Sequence, residues 1–283
     1  MHVAPTDDGR AEMALCWRRA DVPFAPYSKV HRFQRRSVEL KPVLNPLIGK
    51  QETRMALGIV RRRILVFDVN ETLLDIEVLN PFFARAFGDA RVMRQWFAEL
   101  ILYSQALSLS GGYTDFGKLS VAVLQMVARI RHVALNDADI EEFVETMRSL
   151  PPHPDVPEAL ERLGEAGFRM VTLTNSAPQA GKALLDKAGL SHYFERLFSV
   201  DEVKRYKPSR QAYELVTSEL GVEPGTLRLI AAHTWDTLGA SAAGYAAALV
   251  ARPGNAPLLV GDQPDIVEPD LIAVANRIVS LDH

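Results

Sequence analysis

Residues 64–75 read ILVFDVNETLLD. Four apolar, β-favouring residues run without interruption and then deliver a carboxylate, Asp68, ahead of the polar residues that lead to Thr72. So short and continuous an apolar run fits a strand buried on both faces of a parallel sheet. Open α/β sheets collect their reactive groups outside the carboxyl ends of such strands, where a carboxylate can act as a nucleophile. Asn70 follows two residues later. An amide exchanges no proton near neutral pH, so this position offers no general acid or base.

From there strands and helices alternate. MVTLT (170–174) reads as a strand followed by a helix over about 178–188, LRLIAA (227–232) as a strand before a helix near 236–244, and AALVAR (247–252) as a strand before a loop. This succession predicts an α/β fold, a doubly wound parallel sheet with helices on both faces. Between the first two strands lies a long helical insertion, about 81–150, in which Ile140, Phe143, Val144, Met147 and Leu150 share one face. The stretch PPHPDVPEAL (151–160) marks the return to the sheet, with Pro157 suited to open a helix and Glu158 to complement its positive end.

The remainder of the composition narrows the class. With 283 residues, 48% of them hydrophobic, the chain can build one large α/β domain and a smaller companion. One cysteine, Cys16, excludes an internal disulfide framework and suits a reducing cytoplasm. The sequence contains no apolar run of about 18 residues, so no membrane span is expected. Residues 1–63 carry 13 Lys and Arg against 6 Asp and Glu, leaving 19 against 29 for the rest of a chain that totals 32 and 35. This basic leader is rich in proline and lacks periodicity, which predicts a poorly ordered extension over 1–60 rather than a nucleic-acid-binding arm. Met55 shortly before the first strand is also compatible with a later start. A small-molecule substrate is the expected partner, and a homodimer is compatible with the reading.

Three further segments carry chemistry. LTNSAP (173–178) ends a strand in hydroxyl and amide groups just before a helix opens, a place where free N–H groups and the helix dipole favour an anion. VKRYKPSRQAYE (203–214) places Lys207 before Pro208, at a loop from which an ammonium can reach inward. LIAAHTWDTLGA (229–240) follows a strand with His233, Trp235 and Asp236. Lys207 would hold Asp68 ionised, and His233 can take a proton from water or, charged, hold an anion.

Taken together, these four segments resemble the haloacid dehalogenase superfamily and, within it, the type II, or (S)-2-haloacid, dehalogenases. The resemblance covers roughly residues 61–260 and includes WFAELILYSQALSLSGGYTDF (96–116). It implies a Rossmann-like core over 61–76 and 153–283 and an all-helical cap over 77–152 that would exclude water from the site. It also implies Asp68 as nucleophile, Lys207 as the cation, and Asp236 as the group orienting hydrolytic water. Thr72, Asn70, Thr174 and Asn175 would contact the nucleophile or the substrate's anionic groups, Tyr213 would support the site, and Ile101, Phe116 and Trp235 would wall an apolar pocket.

Phosphatases of the superfamily carry a second Asp where this chain has Asn70, and an acidic pair where it has Ala232 and Asp236. A halide leaves without a proton, and a hard cation would lack ligands here, so carbon–halogen cleavage without a catalytic metal or other cofactor is expected. The chain departs from the type II pattern at Phe97, where a cap arginine thought to receive the halide directly follows a Trp, and at Ala231 and His233, where Ser and Asn are usual. A phosphatase of this fold, a hydrolase of another small electrophilic acid, and a binding protein that has lost activity are the competing readings.

Overall fold

The strand β1 (Ile64–Phe67) is buried along its whole length. It lies inside a six-stranded sheet ordered β3-β2-β1-β4-β5-β6, in a computed structural model that describes residues 62–282. The expected leader and Cys16 lie outside the described residues. The other strands are β2 (Met170–Thr174), β3 (Arg196–Ser199), β4 (Leu227–Ala231), β5 (Ala246–Val250) and β6 (Ile266–Glu268), and every pairing is parallel. Successive strands are added on one side of β1 and then on the other, so the order reverses between β1 and β4. The crevice outside the carboxyl ends at such a reversal is where doubly wound sheets bind ligands. Asp68 leaves β1, and His233 follows β4, at that point.

Helices cover the sheet as the alternation predicts. They are α5 (Val156–Glu165), α6 (Pro178–Lys187), α7 (Arg210–Leu220), α8 (Thr234–Ala242) and α9 (Leu271–Leu281). Proline stands in the first turn of α5 and of α6, where its missing N–H is no loss, and Glu158 lies in the first turn of α5. The observed α8 begins two residues before the expected start. Strands β3 and β6 and the helices α7 and α9 are additions to the expected elements, and both strands are short edge strands with exposed residues.

Four helices fill the segment between β1 and α5: α1 (Asn80–Phe87), α2 (Val92–Ser110), α3 (Phe116–Ile130) and α4 (Asp137–Met147). They pack on an aromatic cluster in which Trp96 lies 5.7 Å from Phe83 and 5.1 Å from Phe143. The Trp96 indole N–H, which burial would otherwise strand, donates to Ser120 O at 3.0 Å. Asp115 caps α3, and Asn136 with Asp139 forms a capping box on α4. Phe143 and Leu150 are buried, and Ile140, Val144 and Met147 pack partly buried beside them, as their shared face predicts. The chain leaves the sheet and returns to it side by side. Asp75 N donates to Pro151 O at 2.8 Å and His153 N to Leu73 O at 2.9 Å.

Candidate active site

The turn after β1 is held from three sides. Asp68 N donates to Ile230 O on β4 at 3.0 Å. The Thr72 hydroxyl donates to Asp68 Oδ2 at 2.6 Å while accepting from Ala232 N at 2.8 Å. The buried Arg252 holds the Thr72 carbonyl through two bonds of 3.0 and 2.8 Å. Glu71 therefore sits at φ 65°, a left-handed conformation that the surrounding bonds maintain. The result is a carboxylate, 5% exposed, with a fixed orientation.

Lys207 meets that carboxylate from the loop after β3. Its fully buried ammonium donates to Asp68 Oδ1 at 2.7 Å, Asp236 Oδ2 at 2.6 Å and Leu173 O at 3.0 Å, so all three N–H bonds are matched. The Trp235 ring lies 5.8 Å away, within cation–π range. Burial alone would raise the pKa of Asp68. Lys207 foremost, then His233, overcomes that and holds it well below the usual carboxylate range. Burial works against the Lys207 charge too, and Asp236 and Asp68 raise its pKa above normal in spite of it. The nucleophile candidate is thus ionised and the cation beside it charged.

Asp236, which the resemblance assigns to hydrolytic water, has both oxygens engaged. Lys207 holds Oδ2, and the Tyr213 hydroxyl donates to Oδ1 at 2.6 Å. Tyr213 itself is fully buried beneath α8, where a Cβ on Gly239 would come within 2.5 Å of its hydroxyl. Only glycine lets the helix approach so closely.

His233 stands on the other side of Asp68 and is 4% exposed. Nε2 lies 2.8 Å from Glu71 Oε2, and Nδ1 lies 3.4 Å from Asp68 Oδ2, an ion-pair distance at which no good hydrogen bond forms. Trp235 stacks on the ring at 5.0 Å, and Phe97 of α2 lies against it at 5.5 Å. Burial disfavours the imidazolium, but Asp68 and Glu71 outweigh burial and push its pKa up to about 9. At neutral pH this position therefore carries a positive charge.

The remaining expected residues form two groups. Thr174 and Asn175 shape the loop after β2: Thr174 Oγ1 accepts from Ser176 N at 3.1 Å, and Asn175 Oδ1 accepts from Lys207 N at 3.1 Å. Asn70 is buried with Oδ1 lacking a hydrogen-bond partner. Ile101, one turn beyond Phe97 on α2, is 8% exposed, and Phe116 is buried against Tyr206 at 5.8 Å. A groove of about 830 Å³ runs between α3 and α4 on one side and the start of α6 on the other. Asn70, Phe116, Phe143, Ser176 and Ala180 are among its walls.

Two contributors carry no role in the sequence reading. Glu71 lies inside the first motif, and Arg94 lies one turn before Phe97 on α2. Arg94 pairs with Glu71 and Glu77 and donates to Pro253 O at 3.1 Å, while Asn255 donates to Glu71 Oε1 at 2.9 Å. The donor set is also ill suited to a divalent cation. The Lys207 ammonium stands between Asp68 and Asp236, and position 232 offers only a methyl group.

Comparison with known proteins identifies a family and a fold. Residues 63–244 match the family model described as haloacid dehalogenase-like hydrolase. The (S)-2-haloacid dehalogenase of Pseudomonas sp. (strain YL) is 29% identical over 214 residues, which span 75% of this chain and 92% of that protein. The (S)-2-haloacid dehalogenase 4A of Burkholderia cepacia is 29% identical over 198 residues, 69% and 85% of the two chains. The L-2-haloacid dehalogenase of Xanthobacter autotrophicus with covalently bound chloropropionic acid has the same fold, with a TM-score of 0.70, 24% identity, and coverage of 78% of this chain and 99% of that one.

Proposed function

This chain belongs to the haloacid dehalogenase-like hydrolases, and on that premise we propose that it hydrolyses the carbon–halogen bond of short 2-haloalkanoic acids to 2-hydroxy acids. The observation that carries this reading is the ionised Asp68, held by Lys207 and Thr72 and flanked by an imidazolium, with an amide at position 70. The Asp68 carboxylate attacks C2 from the side opposite the halogen, the halide leaves, and an aspartyl ester with inverted configuration remains. Water then attacks the carbonyl carbon of Asp68, releasing the hydroxy acid and restoring the carboxylate. Thr174, Asn175 and the free N–H groups at the start of α6 bind the substrate carboxylate. Phe97, Ile101 and Trp235 pack around its carbon chain, and Lys207 stabilises the developing charge.

The helices α1–α4 act as a cap, residues 77–152, over a core of 61–76 and 153–283. Among the described residues no helix is long and apolar enough to cross a membrane. The single cysteine and the small-molecule chemistry support a cytoplasmic enzyme.

The test is incubation with (S)- and with (R)-2-chloropropionate in the presence of a chelator. The expected result is chloride and (R)-lactate from the (S) isomer alone. Turnover in ¹⁸O water should carry label into the Asp68 carboxylate. Label confined to product would replace the covalent route by direct attack of water.

A further inference from the structure

His233 is the only one of the expected site residues whose buried ring nitrogen lacks a hydrogen-bond partner. Its Nε2 is anchored on Glu71, so the ring cannot turn away, and its Nδ1 is left facing Asp68 Oδ2 at 3.4 Å. Trp235 stacks on the ring and Phe97 lies tilted against it. Nδ1 thus stands on the Asp68 side of the ring, the side from which a general base must act on a water that attacks the Asp68 ester carbon. Asp236 is poorly placed for the same task, because Lys207 and Tyr213 occupy both of its oxygens.

We propose that His233 takes the proton from the water that hydrolyses the Asp68 ester, with Glu71 as its positioning residue and Arg94 of the cap helix α2 holding Glu71 in place. This rests on the dehalogenase reading above. In the step itself the water oxygen bonds to Cγ of Asp68 while one of its protons passes to Nδ1. The tetrahedral intermediate then collapses, the bond from Cγ to the substrate oxygen breaks, and that oxygen leaves with the remaining hydroxyl proton. Asp68 returns as a carboxylate and His233 as an imidazolium. Over the cycle one halide and one proton are released for each water consumed, so the proton must leave His233 between the two half-reactions.

The charges around the ring explain why it would leave then. Asp68 and Glu71 face the imidazole directly, with Lys207 and Arg94 behind them, and the faces contributed by Phe97 and Trp235 are uncharged. In the free enzyme the two carboxylates hold the proton on His233 against burial, at a pKa of about 9. Esterification removes the charge of Asp68. Glu71 alone remains, shared with Arg94, and burial then favours the neutral ring. Formation of the ester thus converts an imidazolium into a base at the moment when a base is required.

The experiment is single-turnover and multiple-turnover kinetics of the full chain with (S)-2-chloropropionate, following chloride by quenched flow and the Asp68 adduct by intact-protein mass spectrometry. In His233→Gln we expect a chloride burst close to one equivalent per site and ester breakdown slowed about 10²-fold or more. In Glu71→Gln the ester still decays, but the pH midpoint of its decay falls by about one unit or more relative to wild type. That second variant decides the matter even if His233→Gln fails to fold, since a purely structural Glu71 would leave the midpoint in place. Ester decay at the wild-type rate in His233→Gln, equal losses in chloride burst and decay, or an unmoved midpoint in Glu71→Gln each overturn the assignment. Wild-type protein that releases no chloride and forms no adduct overturns the dehalogenase reading and this inference with it.

Discussion

Two buried clusters of charge sit at opposite ends of β4, and they differ in completeness. At the amino end Arg228, fully buried, donates to Asp282 at 2.8 Å, to both oxygens of Asp265 and to Ala247 O, while Arg63 adds a second cation to Asp282. Every N–H of that guanidinium that faces protein has an acceptor. At the carboxyl end Asp68, Lys207, Asp236 and Tyr213 saturate one another, but His233 Nδ1 and Asn70 Oδ1 are left without partners. Native proteins rarely bury polar atoms unmatched, and those that persist mark places where something else completes the set. The first cluster ties α9 and β6 to the sheet. The second leaves two polar atoms for a reactant to match.

The widest separation between them should come from paired substitutions. Asp68→Asn is expected to reduce chloride release from (S)-2-chloropropionate by about 10⁴-fold or more, because the bond-forming group is gone. Its unfolding midpoint should shift little, since Lys207 retains Asp236 and His233 retains Glu71. Arg228→Met should do the reverse. It leaves Asp282 buried beside a single, partly exposed cation, with an expected loss of about 3–5 kcal/mol in urea unfolding and unaltered kcat in the folded fraction. An inactive but stable Arg228→Met would break the contrast outright.

Dependence on pH sharpens it at intermediate size. The folded-state pKa of His233, about 9, exceeds the roughly 6.5 expected of an unfolded histidine. Its stabilising contribution is therefore complete below about pH 6.5 and is lost as pH climbs through about 9, on the order of 3 kcal/mol by linkage. The stability gap between wild type and His233→Asn should accordingly shrink between pH 6.5 and 9.5. The guanidinium of Arg228 does not titrate in that window, so the gap for Arg228→Met should stay constant. Parallel urea titrations of the three proteins at both pH values measure this.

The same contrast shows what was legible in the residues. Asp68 was legible because it directly follows an apolar strand whose place in a parallel sheet is predictable, whereas Lys207 and Asp236 were joined to it by the resemblance that their motifs carry. Strands β1, β2 and β4 are central and wholly buried, hence continuous apolar runs. Edge strands β3 and β6 are short, carry exposed residues and escape that pattern. Glu71 and Arg94 were illegible for a different reason. Their meeting depends on how the helical insertion sits over the sheet, and local periodicity says which face of α2 is apolar but not what an arginine beside that face will reach. Arg228 is a third case, a charged residue inside the apolar run LRLIAA that only the distant Asp265 and Asp282 make tolerable.

The smallest effect bears on Phe97, which occupies the position where the resemblance places an arginine. Its ring lies 5.5 Å from that of His233, so an arginine there would bring a guanidinium against an imidazolium. Like charges so close disfavour each other and would lower the pKa of His233. Phe97→Arg in the wild-type background should therefore leave chloride release unchanged or reduced. In a His233→Asn background the same arginine has no competing charge and can cradle the departing halide, so the chloride burst, which precedes ester breakdown, should become faster. The double-mutant cycle is expected to give a coupling of about 1 kcal/mol, roughly fivefold in rate. Additive effects of the two substitutions would mean that the two positions do not serve one anion. The phenylalanine and the histidine would then be unrelated departures, and the unmatched Nδ1 would belong to the hydrolytic half-reaction alone.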